Sequence, residues 1–290
     1  MPILERRIRF MSLIETFEIV HLSIVGFAST IKIEQPGKDP ILPSILGTGF
    51  VVDSRGIVAT NRHVVEAILE LPIDPRDGKH AARAIMTSGV REESGGHSMP
   101  MLFVDIKGGA VVSNFVSSTP YFGEPLPDVA FVQLNVGEVP ALQLASAENS
   151  WKTGMEVAIA GFPLGTKPLE VFDKVTQIMP FVKHGIISSI FPFPCPFPHG
   201  FSTDILTQGG NSGSPVFRAD SPVALGMHEG VVKGADNITL AVPSNMIAIA
   251  LAQYLEQFRP DFEGVPTLQD LLTTRPWTDK PVWTRLDNAT

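Results

Sequence analysis

The chain has 290 residues, roughly two domain-lengths on a prior of about 150 residues per domain, although a pair of β-barrels uses that length as one unit. Hydrophobic residues make up 44%, charged residues 18%, and mean hydropathy is +0.18, which excludes a disordered chain and a coiled coil. Lys and Arg number 22 against 30 Asp and Glu, a net charge of −8; the whole chain has no electrostatic footprint for a phosphate backbone, so nucleic acid is not an expected partner.

The N-terminus carries Arg6, Arg7 and Arg9 ahead of an apolar stretch, the order of a secretory signal, but Glu15 and Glu18 interrupt it. The uncharged run 19–31 is 13 residues long, too short to span a bilayer, and no small-residue cleavage signature follows, so no membrane association is expected. Residues 1–18 read as an N-terminal arm, with a short amphipathic helix or arm over 1–16. The single cysteine, Cys195, can form no internal disulfide and no Cys-rich zinc site, which suits a reducing compartment and a cytoplasmic protein.

Gly and Pro, 25 of each, favour many short strands separated by turns over long helices. Segments rich in Val, Ile and Phe and bounded by Gly, Pro, Ser or Asp predict strands at 19–27, 45–53, 56–60, 101–106, 110–116 and 129–134. A second batch follows at 155–161, 183–190, 214–218, 223–228 and 238–243. The two batches predict an all-β protein of two packed barrels, an N-barrel over about 19–148 and a C-barrel over about 151–243.

Helices are expected at 65–71 and at 244–258, the latter opened by a Ser cap and closed before Pro260. Residues 73–100 read as a polar surface insertion and 259–290 as a tail. FPFPCPFP (191–198) has Pro at every second position and cannot serve as a central strand. It reads either as a stiff loop or as a rigid rim whose Phe side chains touch a substrate or a partner.

The most informative stretch is TQGGNSGSPVF (207–217). Glycines on both sides of Ser212 let the backbone turn sharply, present the hydroxyl and aim amides inward, the local geometry of an acyl-transfer nucleophile. Such a serine needs a positioned base, and the base an orienting carboxylate. Of the seven histidines, His63 has the right setting, at the end of the strand-like run in GIVATNRHVV, and Asp128 lies at the mouth of the apolar strand in PDVAFVQL.

GTGFVVDSRGIVATNRHVV, DVAFVQL and TDILTQGGNSGSPVF resemble the three signature blocks of chymotrypsin-fold (trypsin-like) serine proteases, in the order His, Asp, Ser. VKHGIISSI and LAVPSNMI resemble blocks of HtrA-type proteases, and TQGGNSGSPVF followed by LGMH is similar to bacterial glutamyl endopeptidases; the likeness covers 19–258. The resemblance implies a double six-stranded antiparallel β-barrel followed by a C-terminal helix, and a serine endopeptidase that acts through an acyl-enzyme. It implies Ser212 as nucleophile, His63 as general base then acid, Asp128 as the residue orienting the imidazole, and the amides of Gly210 and Ser212 as the oxyanion hole. No metal or organic cofactor is implied.

The resemblance places Leu206 at the base of the primary specificity pocket, where no counter-charge would meet Lys or Arg, and Thr207 and His228 where an acidic or carboxamide side chain is held, so cleavage after Glu or Gln is expected. Two departures stand out. Only 32 residues follow Phe258, too few for the PDZ domain of HtrA enzymes, and His63 to Asp128 spans 65 residues, longer than in those enzymes. The expected partner is a protein or peptide substrate. The alternative is a latent or non-catalytic trypsin-like binding or regulatory module that an activating protein partner switches on; homo-oligomer formation, as in HtrA relatives, stays open.

Overall fold

The computed structural model describes residues 11–30, 44–75, 77–89, 91–93, 96–98, 101–113, 115, 126–145, 150–163, 179–232 and 238–274. A short helix α1 (Leu13–Val20) opens it, nucleated by a capping box in which Ser12 and Glu15 satisfy each other's backbone amides. The first strand therefore starts later than the Ile- and Val-rich sequence suggests. Helix α1 takes Ile19 and Val20, residues 21–23 form one 3₁₀ turn, and β1 (Ile24–Ser29) follows, so His21 is no strand residue: its Nδ1 lies 3.0 Å from the Phe17 carbonyl one turn back.

The first half continues with β2 (Ile45–Asp53), β3 (Ile57–Thr60), α2 (Arg62–Leu69), the hairpin β4 (Ile73–Asp74) and β5 (Lys79–His80), and β6 (Ala82–Thr87). Then come the hairpin β7 (Arg91–Glu93) and β8 (Gly96–Ser98), β9 (Met101–Val104), β10 (Ile106–Val111) and β11 (Ala130–Leu134). Seven of these strands form one antiparallel sheet in the order β10-β11-β3-β2-β1-β6-β9. The expected surface insertion is thus partly core: β6 sits between β1 and β9, with Ala82, Ala84 and Met86 turned to one apolar cluster and Ile85 to another. Small Ala side chains beside Arg83 conceal the alternation that a Val- or Ile-rich strand would display.

The second half comprises β12 (Gln143–Leu144), β13 (Glu156–Gly161), β14 (Phe181–Phe191), β15 (Gly200–Thr203), β16 (Pro215–Arg218), β17 (Val223–Val231) and β18 (Thr239–Pro243). Six of them close on themselves, because β17 pairs with both β16 and β18, and β12 adds a parallel edge to β17. The chymotrypsin-like double barrel expected from the sequence is what the two sheets form. The second closes at six strands, while the first keeps an open edge among the described residues.

Strand alternation divides the core into three clusters. Val25 and Phe27 of β1 fill the first barrel, Val157 and Ile159 of β13 fill the second, and the intervening Ile24, Ala28, Ala158 and Ala160 join a shared cluster. The shared cluster also takes Met246, Ile247, Ala250 and Tyr254 of α3 (Ser244–Phe258), so both barrels and this helix bury their apolar faces together. Ser244 does not cap α3: Pro243 holds the cap position, and the Ser244 hydroxyl donates to the Ala145 carbonyl at 2.7 Å.

Beyond α3 the chain crosses to the first barrel. Lys107 Nζ and Gln133 Nε2 donate to the Asp261 carbonyl, the Gly137 amide donates to Pro266, and Leu268, Leu271 and Leu272 of α4 (Leu268–Thr274) pack on the first-barrel core. Residues 275–290, the rest of the expected tail, lie outside the described residues.

Candidate active site

Strand register brings His63 and Asp128 together. In the β3–β11 pair Thr60 lies opposite Ala130; His63 comes three residues after the former, in the first turn of α2, and Asp128 two residues before the latter. Asn61, fully buried, donates from Nδ2 to the Asp128 carbonyl at 2.9 Å and locks the two chain ends. The Asp128 carboxylate then receives the His63 amide on Oδ1 at 3.3 Å and stands 2.6 Å from His63 Nδ1 through Oδ2. An ionised carboxylate only accepts, so Nδ1 carries the proton and Nε2 offers its lone pair.

The His63 side chain is 47% exposed, Asp128 17%. The hydrogen bond to Asp128 raises the His63 pKa above the ordinary imidazole value; burial works against it, and the negative charges of Asp128, Glu229 and Glu66 add to the rise. Two other histidine rings are satisfied locally: His21 by Phe17, and His80 Nδ1 by the Leu71 carbonyl at 2.8 Å.

Ser212 is half-buried on the turn that leads into β16. Two glycines shape this turn with backbone conformations that L side chains rarely adopt, Gly210 at φ 96° and Gly213 at φ 85°. The Asn211 amide donates to Gln208 O, and Gly210 is the third residue of that turn, the position at which a type II turn requires positive φ. At Gly213 a Cβ would lie 1.9 Å from the Thr48 carbonyl oxygen, so only glycine fits. The Gly210 and Ser212 amides donate to no other group among the described residues.

Strand β17 ties this turn to the second barrel: the Gly213 amide donates to His228 O at 3.0 Å, and the His228 amide to Ser214 O at 2.8 Å. His228 and His63 lie close enough for their charges to interact. The structure thus brings His63, Asp128, the Ser212 turn and His228 to one junction between the barrels.

The remaining specificity candidates lie on neighbouring segments. Leu206 is 57% exposed, and its carbonyl accepts from Lys183 Nζ at 2.7 Å. Thr207 and His228 are buried, and Thr207 Oγ1 and His228 Nδ1 have no hydrogen-bond partner among the described residues. Burial, opposed by a hydrogen bond to the Leu240 backbone and reinforced by the charge of His63, pushes the His228 pKa down to about 4. The ring is neutral at pH 7. Exposed Phe191 ends β14, and exposed Phe193 and Phe197 belong to the loop between β14 and β15, closed by the His199 amide on Phe191 O; among the described residues none of the three makes a hydrogen bond or ring contact with these site residues.

Sequence reasoning missed Thr48, Thr60 and Asn61, whose side chains bond the site's backbone. The signal for Thr48 was a hydroxyl between two glycines in GTGF, a pattern unsuited to an exposed strand.

The model of the trypsin-like peptidase domain matches residues 47–227. The chain belongs to this family of serine peptidases. A probable periplasmic serine endoprotease, DegP-like, from Halomonas elongata is 26% identical over 181 residues, covering 61% of this chain and 28% of that protein, so the chain spans well under a third of its relative. Among solved structures, the HtrA-type protease AlgW with a decapeptide superposes at a TM-score of 0.52 with 17% identity, over 85% of this chain and 68% of that one. AlgW with a tripeptide gives 0.51 and 16%, over 86% and 64%. These structural likenesses establish the fold, which is of chymotrypsin type.

The expectation of a cytoplasmic protein finds no support, since the relative is periplasmic. A lone cysteine forms no internal disulfide in either compartment, so the count of one was never able to distinguish them. Among the described residues no helix is long and apolar enough to cross a membrane, and no group of three metal-ligating side chains occurs.

Proposed function

We propose that this protein is a serine endopeptidase that cleaves peptide bonds with Ser212, His63 and Asp128 through an acyl-enzyme. The observation that carries the reading is the 2.6 Å His63–Asp128 bond, which leaves a basic Nε2 in the first turn of α2, at the barrel junction that also holds the glycine-shaped Ser212 turn. As Ser212 Oγ attacks the carbonyl carbon, its proton passes to His63 Nε2 and the carbonyl electron pair moves onto oxygen. The Gly210 and Ser212 amides face that oxyanion. Collapse breaks the C–N bond, the amine leaves with the proton from Nε2, and water repeats the sequence on the ester.

The peptide ligands in the AlgW structures support a peptide as substrate class. For the side chain before the scissile bond we propose Glu or Gln. The two unpartnered polar atoms, Thr207 Oγ1 and His228 Nδ1, favour a polar side chain, and exposed Leu206 offers no carboxylate to Lys or Arg. The neutral His228 supplies a dipole and no formal charge, so a carboxamide is held on the same terms as a carboxylate.

Intact-mass analysis after treatment with a fluorophosphonate, beside Ser212→Ala, tests the catalytic reading. A single adduct on the wild type that the variant lacks is the expected result. An adduct that persists in Ser212→Ala, or none on folded protein, overturns the proposal of a constitutively active Ser212 and returns attention to a latent module awaiting its partner.

A further inference from the structure

Thr48 lies on β2 of the first barrel, fully buried, yet every polar atom it owns is engaged near the Ser212 turn of the second. Its amide donates to the Ser212 carbonyl at 2.8 Å. Its hydroxyl donates to the Gly210 carbonyl at 2.7 Å and accepts from the Phe162 amide at 3.2 Å. Its carbonyl accepts from the Thr60 hydroxyl at 2.6 Å. The two residues that Thr48 holds by their carbonyls are the two whose amides are assigned to the oxyanion.

The clasp also reaches the base. Thr60 ends β3, three residues before His63, and pairs in register with Gly49, the neighbour of Thr48. A chain of contacts therefore runs from Gly210 and Ser212 through Thr48 and Thr60 to the strand end that carries His63. The packing leaves it no slack: a Cβ on Gly213 would sit 1.9 Å from the Thr48 carbonyl, and one on Gly161 would sit 2.0 Å from Ser214 Oγ and 3.0 Å from Thr48 Oγ1.

We propose that the Thr48 hydroxyl is a positioning residue for catalysis, setting the Gly210–Ser212 turn of one barrel against His63 of the other. It touches neither substrate nor the reacting atoms. Its effect is on geometry, and displacements of about 1 Å in a reacting constellation cost on the order of 10²-fold in rate. The inference rests on the catalytic reading of Ser212, and its test separates the two.

Thr48→Val keeps the shape and removes the hydroxyl; Thr48→Ser keeps the hydroxyl; Thr48→Ala removes both hydroxyl and methyl. Each is compared with the wild type and with Ser212→Ala in fluorophosphonate labelling rate and in kcat and KM on one peptide substrate. Thr48→Val should lose about 10²-fold in labelling rate and in kcat with KM within about threefold, and Thr48→Ser should recover to within about threefold of the wild type. Should Thr48→Val fail to fold, the Thr48→Ala and Thr48→Ser pair, which differ by one hydroxyl, decides by the same criterion.

Equal rates for the variants with and without the hydroxyl overturn the positioning role while Ser212-dependent labelling leaves the catalytic reading intact. Labelling that survives in Ser212→Ala overturns both. A fall confined to KM, with kcat preserved, also overturns the role, because positioning of the nucleophile acts on the chemical step.

Discussion

His228 makes a quantitative demand on stability. Its side chain is 2% exposed, and burial pushes its pKa from 6.5 to about 4. The unfolded chain binds a proton at this position near the ordinary value, whereas the folded protein refuses it until pH 4. The folded pKa lies below the unfolded one, so the stability is whole above about pH 6.5 and drains away as pH falls toward 4. At about 1.36 kcal/mol per pH unit, the interval from 6.5 to about 4 corresponds to about 3 kcal/mol. Asp53 and Asp220, whose carboxyls are held below the usual range by Arg55 and Arg218, also lose stability in acid, so the wild-type curve alone does not isolate the histidine. Urea unfolding of Ser212→Ala with and without His228→Gln, at pH 7 and pH 4, isolates it and avoids self-digestion. The chain with His228 should lose about 3 kcal/mol more over that interval than the chain with glutamine. Parallel losses would refute the claim that His228 is buried neutral.

Asp128→Asn should leave the fold intact and lower kcat on the order of 10⁴-fold by favouring the wrong His63 tautomer, as checked by circular dichroism beside steady-state kinetics. In the wild type, kcat/KM should rise with pH through an inflection above 6.5, because the base must be neutral and Asp128 raises its pKa; the residual activity of Asp128→Asn should inflect lower. His228→Ala should depress cleavage after Glu and Gln much more than after apolar residues in a matched peptide set, and a uniform loss would place His228 outside the specificity pocket.

The catalytic candidates were legible because each must be announced by its neighbours. A serine presented on a tight turn needs glycines at Gly210 and Gly213, and a base and its carboxylate need strand ends, here Thr60 and Ala130, to set them side by side. What stayed hidden depends on tertiary partners. Ala82 to Thr87 shows no strong β-propensity, and it becomes a central strand because β1 and β9 flank it. Ile19 and Val20 carry strand-forming side chains, and they join a helix because the Ser12–Glu15 capping box starts one upstream. Thr48 reads as one more strand residue until the second barrel supplies the carbonyls it bonds.

The two imidazoles at the barrel junction are driven in opposite directions, a separation that suits the base role proposed for His63. His63 is half open to solvent and gains a carboxylate partner, so its charged form is favoured; His228 is sealed among strands and gains only a backbone partner, so its charged form is penalised. Were both to charge in the same range, the imidazolium that the proposed attack forms on His63 would meet a second positive charge nearby. With His228 neutral, the charge that the proposed mechanism develops on His63 is met by Asp128 through a 2.6 Å bond and by the fields of Glu229 and Glu66. Burying a histidine beside the Ser212 turn would therefore serve the proposed chemistry twice, by supplying a neutral polar group on β17 and by leaving His63 as the group that takes the proton.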